Sequence, residues 1–197
     1  MTLRILLAVV IGALMGKFIL PQGTLQYTDL IIDIGLMLLL FFVGIDIGLN
    51  RSVFGRIKAI GLRILYIPTA IILGSIAGSA VAGMLLGMPF NEAGAVGAGL
   101  GWYTLSSILV ANYSSQLSAM AFIANVTREL MAFMIIPIIA KKLGFLEAIA
   151  PAGATAMDTG LPIVSRSTDP ETAIIAFVSG VICTASVPVL VPLILNL

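Results

Sequence analysis

Long apolar runs alternate along the chain with short polar punctuation. A membrane helix needs about 20 mostly apolar residues. Five windows meet that need: Leu3–Leu20, Leu30–Leu49, Ile64–Met88, Ser118–Ala140 and Ala173–Leu195. The first carries Gly12 and Gly16 and stops at Pro21. A secretory leader would look similar, but no clean small-x-small cleavage site precedes Pro21, so the pattern predicts a span. In the third, Gly74, Gly78 and Gly83 recur on roughly one face, a spacing that lets neighbouring helices approach closely. The last is interrupted by Pro188 and Pro192.

Two further segments are apolar without resembling ordinary spans. Ala93–Ser107 reads AGAVGAGLGWYTLSS and Ala148–Ser167 reads AIAPAGATAMDTGLPIVSRS. Both are rich in Gly, Ala, Ser and Thr, both contain an Ala-Gly-Ala start, and both close on polar residues. This content predicts re-entrant or broken helices. Irregular backbone at membrane depth is tolerated only when buried in protein or lining a cavity. Paired interrupted segments are the best sequence pointer to a transporter's binding site.

Composition agrees with lipid as the solvent. The chain has 197 residues, 60% hydrophobic and 10% charged, and a mean hydropathy of +1.17. Soluble domains carry about 25% charged residues. Ten basic and nine acidic residues leave a net charge of +1, so no basic excess points to nucleic acid. The absence of histidine removes histidine triads and the usual zinc sites. Cys183 is the single cysteine, which excludes an internal disulfide or a cysteine metal cluster. Neither a cofactor nor a metal is expected. The glycines of Gly97–Gly101 lack the strand–turn–helix setting of a nucleotide fingerprint.

Charge placement sets a topology. Arg51, Arg56, Lys58 and Arg63 form the densest basic loop, which the positive-inside rule makes cytoplasmic. The N-terminus is then cytoplasmic, and the third span runs outward to Pro89–Glu92. If Ala93–Ser107 crossed fully, Lys141 and Lys142 would fall outside. If it dips and returns, they fall inside, and a second dip by Ala148–Ser167 leaves Arg166 inside as well. The expectation is an all-α integral membrane protein with about five full transmembrane helices and two opposed re-entrant or broken segments. Its C-terminus lies outside. Residues 1–197 make a single membrane domain, with a three-helix N-terminal part over 1–92 and the Gly-rich segments and core helices over 93–197.

Charged residues inside the apolar runs carry the candidate chemistry. A charge at a helix centre costs roughly 2.5–3.5 kcal/mol on insertion scales, and Glu129 sits mid-span. Ser118, Ala121, Asn125, Arg128, Glu129 and Ala132 follow three-or-four residue spacing and form one small, polar stripe. Met120, Ile123, Leu130 and Met134 lie off it. The stripe faces either a cavity or a partner helix; in the plainer case Arg128 and Glu129 only bind the bundle together. Adjacent helical residues do not face each other, so each needs its own partner. Asp158, in ATAMDTGLP with Thr155 and Thr159 beside it, is the second candidate, against a plain helix-capping role. Trp102 and Tyr103 fit either a site or an interfacial belt. Thr104, Ser106 and Ser107 offer hydroxyls to a substrate or to the break. Asp29 and Asp33 fit an interfacial helix start, Asp46 fits either a pathway or an interfacial pair with Arg51, and Glu92, Glu147, Asp169 and Glu171 fit loops.

Four stretches together carry a family resemblance: LLFFVGIDIG (Leu39–Gly48), GLGWYTLSSILV (Gly99–Val110), NVTRELMAFMIIPII (Asn125–Ile139) and GATAMDTGLPIV (Gly153–Val164). In order and over nearly the whole chain they resemble the lysine exporter (LysO) family of bacteria and archaea. The resemblance implies export of L-lysine and its analogue thialysine from the cytoplasm across the cell inner membrane, by proton antiport. It places the functional acids at Glu129 and Asp158. Single-chain members carry three further N-terminal helices before the matched part. The resemblance therefore implies a homo-oligomer or a small membrane subunit supplying that half.

Lysine carries a net positive charge. A membrane-embedded carboxylate that holds either a proton or this cation, but not both, couples their movements. Glu129 and Asp158 would alternate in this way, with helix ends at the breaks or Arg128 taking the substrate carboxylate. The competing expectations are another amino acid or organic ion on the same plan, or a scaffold subunit without transport.

Overall fold

The computed structural model describes residues 61–197 throughout, with scattered helical positions between residues 7 and 45. The expected spans Leu3–Leu20 and Leu30–Leu49 hold those scattered positions, and their bounds lie outside the described residues. So do the Arg51–Lys58 portion of the basic loop and Asp29, Asp33 and Asp46.

The described residues are helical, with no strand among them. A 3₁₀ turn over Gly61–Leu65 leads into α1 (Tyr66–Leu85). Then come α2 (Phe90–Ala98), α3 (Tyr103–Ala111) and the long α4 (Ser115–Lys142). Two 3₁₀ turns, Glu147–Ile149 and Gly153–Met157, precede the short α5 (Leu161–Ser167) and the final α6 (Pro170–Leu195). Among the described residues α1, α4 and α6 are long and apolar enough to cross a membrane. Many of their large apolar side chains point outward, including Leu73, Ile123 and Val189. That is the surface an all-α membrane protein offers to lipid.

The helix ends follow local chemistry. Ser114 caps α4 by accepting the Leu117 N–H, and Asp169 caps α6 by accepting the Thr172 N–H at 2.7 Å. Lys141 and Lys142 occupy the last turn of α4, where the helix dipole favours cations. The expected interruption at Pro188 and Pro192 does not occur: α6 runs through both, as α4 runs through Pro137. Neighbouring helices and local adjustment re-satisfy the backbone groups a proline frees in such helices. Spans also begin earlier than hydropathy suggests, at Ser115 rather than Ser118 and at Pro170 rather than Ala173, because the capping turns are polar.

The two Gly-rich segments are where helices break. Residues 90–111 form helix–break–helix, and both ends come to the same end of the molecule. The Tyr113 hydroxyl donates to Glu92 at 3.2 Å, and the α1–α2 and α3–α4 turns line one surface hollow. The end of α6 lies there too, with Asn91 Nδ2 donating to the Leu195 carbonyl at 3.0 Å. Residues 147–167 mirror this from the opposite end, where Tyr66 of α1 shares a groove with Leu146, Glu147 and Ala150. The second segment reaches upward to pack the backbone of Met157 against Gly180 of α6.

The tips of the two segments meet. Ala154 N–H donates to the Leu100 carbonyl at 2.9 Å. Three residues at this junction hold left-handed backbone: Leu100 (φ 51°), Gly101 (φ 102°) and Gly153 (φ 58°). Only glycine visits that region freely, so Leu100 is strained. It is also fully buried, and the surrounding packing holds it there.

Candidate functional site

Glu129 and Asp158 come together beside this junction. They line one cavity of about 170 Å³ with Trp102, Tyr103, Thr155 and Thr159; Gly101, Thr104, Ala154, Met157 and Thr184 complete the wall. Glu129 arrives from the middle of α4 and Asp158 from the break between the second 3₁₀ turn and α5. Thr159 joins them: its hydroxyl donates to Glu129 Oε1 and lies 3.3 Å from Asp158 Oδ1. Its backbone N–H also donates to Asp158 Oδ1, at 2.6 Å. The capping alternative for Asp158 is not realised, since Gly160 is the cap of α5 and no side chain bonds that helix start. Trp102, Tyr103 and Thr104 open α3 at the cavity edge. Tyr103 stacks edge-on against Phe122, with ring centroids 5.4 Å apart.

Three sequence candidates lie behind the cavity rather than on its wall. Asn125 is buried and fully engaged. Its Oδ1 accepts the Gly101 N–H at 2.7 Å, and its amide nitrogen lies 2.9 Å from Ala121 O, 3.2 Å from Val96 O and 3.3 Å from Ser106 Oγ. Ser106 is fully buried and donates to the Tyr103 carbonyl at 3.2 Å. Together they brace the first break. Arg128 braces the second. Its guanidinium donates to Pro151 O at 3.2 Å, Ala150 O at 3.3 Å and Ser75 Oγ at 2.7 Å. Ser75 in turn donates to Gly97 O at 2.8 Å, so Arg128 ties α1 and both broken segments together.

The small, polar stripe of α4 turns inward as its spacing predicts. Ala121, Asn125 and Ala132 are buried, while Ile123 and Leu130 face outward. One wall residue escaped the sequence reading. Thr184 of α6 lines the cavity, its hydroxyl 3.4 Å from Met157 Sδ. A threonine inside an apolar helix carries no distinctive signal, because it ordinarily bonds back within its own helix.

An all-α membrane protein with two opposed broken helices meeting at an acidic cavity belongs architecturally with secondary transporters. The chain belongs to the lysine exporter LysO family, whose family model matches residues 6–195. That family is one of transporters and not of enzymes. The chain is 31% identical to the lysine exporter LysO of Escherichia coli K12 over 191 residues, covering 96% of this chain and 62% of that protein. It is 29% identical over 193 residues to a Haemophilus influenzae Rd protein provisionally named a lysine exporter, covering 95% and 94%. The chain thus spans less than two thirds of the Escherichia coli relative. No solved structure matches it.

Proposed function

We propose that this protein exports L-lysine, and close analogues such as thialysine, in exchange for protons. The observation that carries this reading is the shared cavity of Glu129 and Asp158 at the meeting point of two broken helices, in a chain of the LysO family. The names of its relatives supply the substrate. The chemistry fits that substrate. Two carboxylates match a molecule with two ammonium groups. The start of α3 beside Trp102 and Thr104 offers N–H groups and a positive dipole end to a carboxylate.

Coupling follows from competition. Removing a charge from water is expensive unless it is neutralised. The carboxylates are therefore satisfied by lysine or by protons, and one displaces the other. On the outer side lysine leaves the acids as protons arrive from that same side, and on the inner side the protons leave as the next lysine binds. The two breaks supply the opposed faces, since each broken segment opens to its own end of the molecule. Asn125, Ser106 and Arg128 hold the breaks in place and act on transport through position.

We further propose an inner-membrane location with a cytoplasmic N-terminus and an external C-terminus. On that orientation Lys141, Lys142 and Arg166 face the cytoplasm, in accord with the positive-inside rule. The functional unit is a homo-oligomer or a complex with a small membrane subunit.

The test is Glu129→Gln in proteoliposomes loaded with labelled lysine. The substitution keeps shape and removes the titratable group. Proton-driven efflux should vanish while the variant still purifies as a folded species. Wild-type efflux rates in the variant would sink the assignment. A counterflow panel of amino acids then decides whether lysine or another cation is preferred.

A further inference from the structure

The antiport reading leaves open how a proton reaches one acid from the other. The cavity wall carries several hydroxyls, and two of them are committed elsewhere. Thr155 Oγ1 donates to the Ala152 carbonyl at 2.9 Å. Thr184 Oγ1 rests on Met157 Sδ. Among the described residues Thr159 Oγ1 alone bridges both carboxyls, donating to Glu129 and lying 3.3 Å from Asp158 Oδ1. It is half-buried and held in this position by its own N–H bond to Asp158.

We infer that the Thr159 hydroxyl is the relay through which a proton passes between Asp158 and Glu129, a role that rests on the proton-antiport reading above. A hydroxyl has one hydrogen and two acceptor lone pairs. It can therefore donate to one carboxylate while accepting from the other only when that other is protonated. This is the arrangement a relay needs. As the Asp158 O–H bond breaks and its proton joins Thr159 Oγ1, the original Thr159 hydrogen passes to Glu129. The products are an Asp158 carboxylate, an intact threonine hydroxyl and a protonated Glu129. No atom or electron is left over, and the reverse step returns the proton. Groups this close titrate as a pair, so lysine contacting either acid displaces the proton the pair shares. Tyr103, the remaining titratable wall residue, opens α3 at the cavity edge and lies within electrostatic reach of both acids.

The relay separates from simple packing by comparing two fluxes in the same proteoliposomes. Proton-driven lysine efflux requires net proton passage; lysine–lysine exchange does not. Thr159→Val keeps the shape and deletes the hydroxyl, so the ratio of driven efflux to exchange should fall on the order of a hundredfold or more, the scale of one lost proton-transfer group. Thr159→Ser, which restores the hydroxyl, should restore most of the ratio. A Thr159→Val ratio equal to wild type overturns the relay, as does a fall that serine fails to rescue. A ratio that falls in Tyr103→Phe but not in Thr159→Val transfers the role to Tyr103 and overturns it equally. Wild-type protein showing no proton-driven efflux would remove the antiport reading itself, an outcome distinct from the others.

Discussion

Gly153→Ala should be among the most damaging small substitutions in the chain. Gly153 holds φ +58°, and a Cβ there would collide with the Leu100 carbonyl oxygen and lie 2.9 Å from Arg128 Nη2. Alanine in left-handed backbone costs roughly 1–2 kcal/mol. Relieving the collision separates the tips and breaks the Ala154–Leu100 hydrogen bond, about 1 kcal/mol. It also displaces Arg128, whose bonds to Pro151 and Ala150 are charge-assisted and contribute about 1.5–3 kcal/mol each. The sum is roughly 3.5–6 kcal/mol even if one Arg128 bond survives. At about 2–4 °C per kcal/mol for a chain of this size, thermal unfolding in detergent should fall by roughly 10 °C or more. Gly101→Ala is the internal comparison. It shares the positive φ (+102°), but its Cβ would meet only Thr155 Cγ2 at 3.4 Å and Ala152 O at 3.5 Å. It should carry the backbone cost alone, a fall of about 5 °C. Equal shifts in the two variants would refute the claim that the tips and Arg128 form one rigid junction.

Asn125→Leu leaves the buried Gly101 N–H without its acceptor, a loss of roughly 1–3 kcal/mol; hydrogen exchange across residues 99–103 should quicken, and unchanged exchange would count against the brace. Asp169→Ala removes the cap of α6 and should lower stability by about 1 kcal/mol, seen as a small fall in unfolding temperature with transport retained. In a Cys183→Ser background, Leu86→Cys and Asn112→Cys should react with an impermeant maleimide from one face of the membrane, and Lys142→Cys and Arg166→Cys from the other. Labelling of Leu86→Cys and Asn112→Cys from opposite faces would eliminate the returning first segment.

Much of the lining of the candidate cavity was legible from residue type, and the reason is energetic. Glu129 in an apolar run has few explanations, because such a charge is costly wherever it meets lipid. Asp158 among Thr, Gly and Pro had few more. The breaks were legible because glycine and hydroxyl residues disfavour continuous helix. Their limits were not: Phe90 and Ile108–Ala111 are as apolar as any span, yet belong to the broken segments. Nor could spacing divide the polar residues between wall and brace. Asn125 and Glu129 share a helix face, and only the backbone they meet sends one to Gly101 and the other to the cavity. Pro188 and Pro192 misled in the other direction, since a tolerated proline and a disruptive one look identical along the chain.

The Leu100–Ala154 contact joins main-chain atoms alone. Side-chain truncation cannot delete its donor or its acceptor, so truncating the side chain of Leu100 leaves both in place, and a scan meets the central seam only where a glycine beside it gains a Cβ, as at Gly153. Sequence divergence can likewise rewrite both tips while preserving the seam, provided each residue tolerates its backbone angles. Its own contribution is isolated by chemistry on the backbone itself, as when an ester replaces the peptide link that supplies the Ala154 N–H.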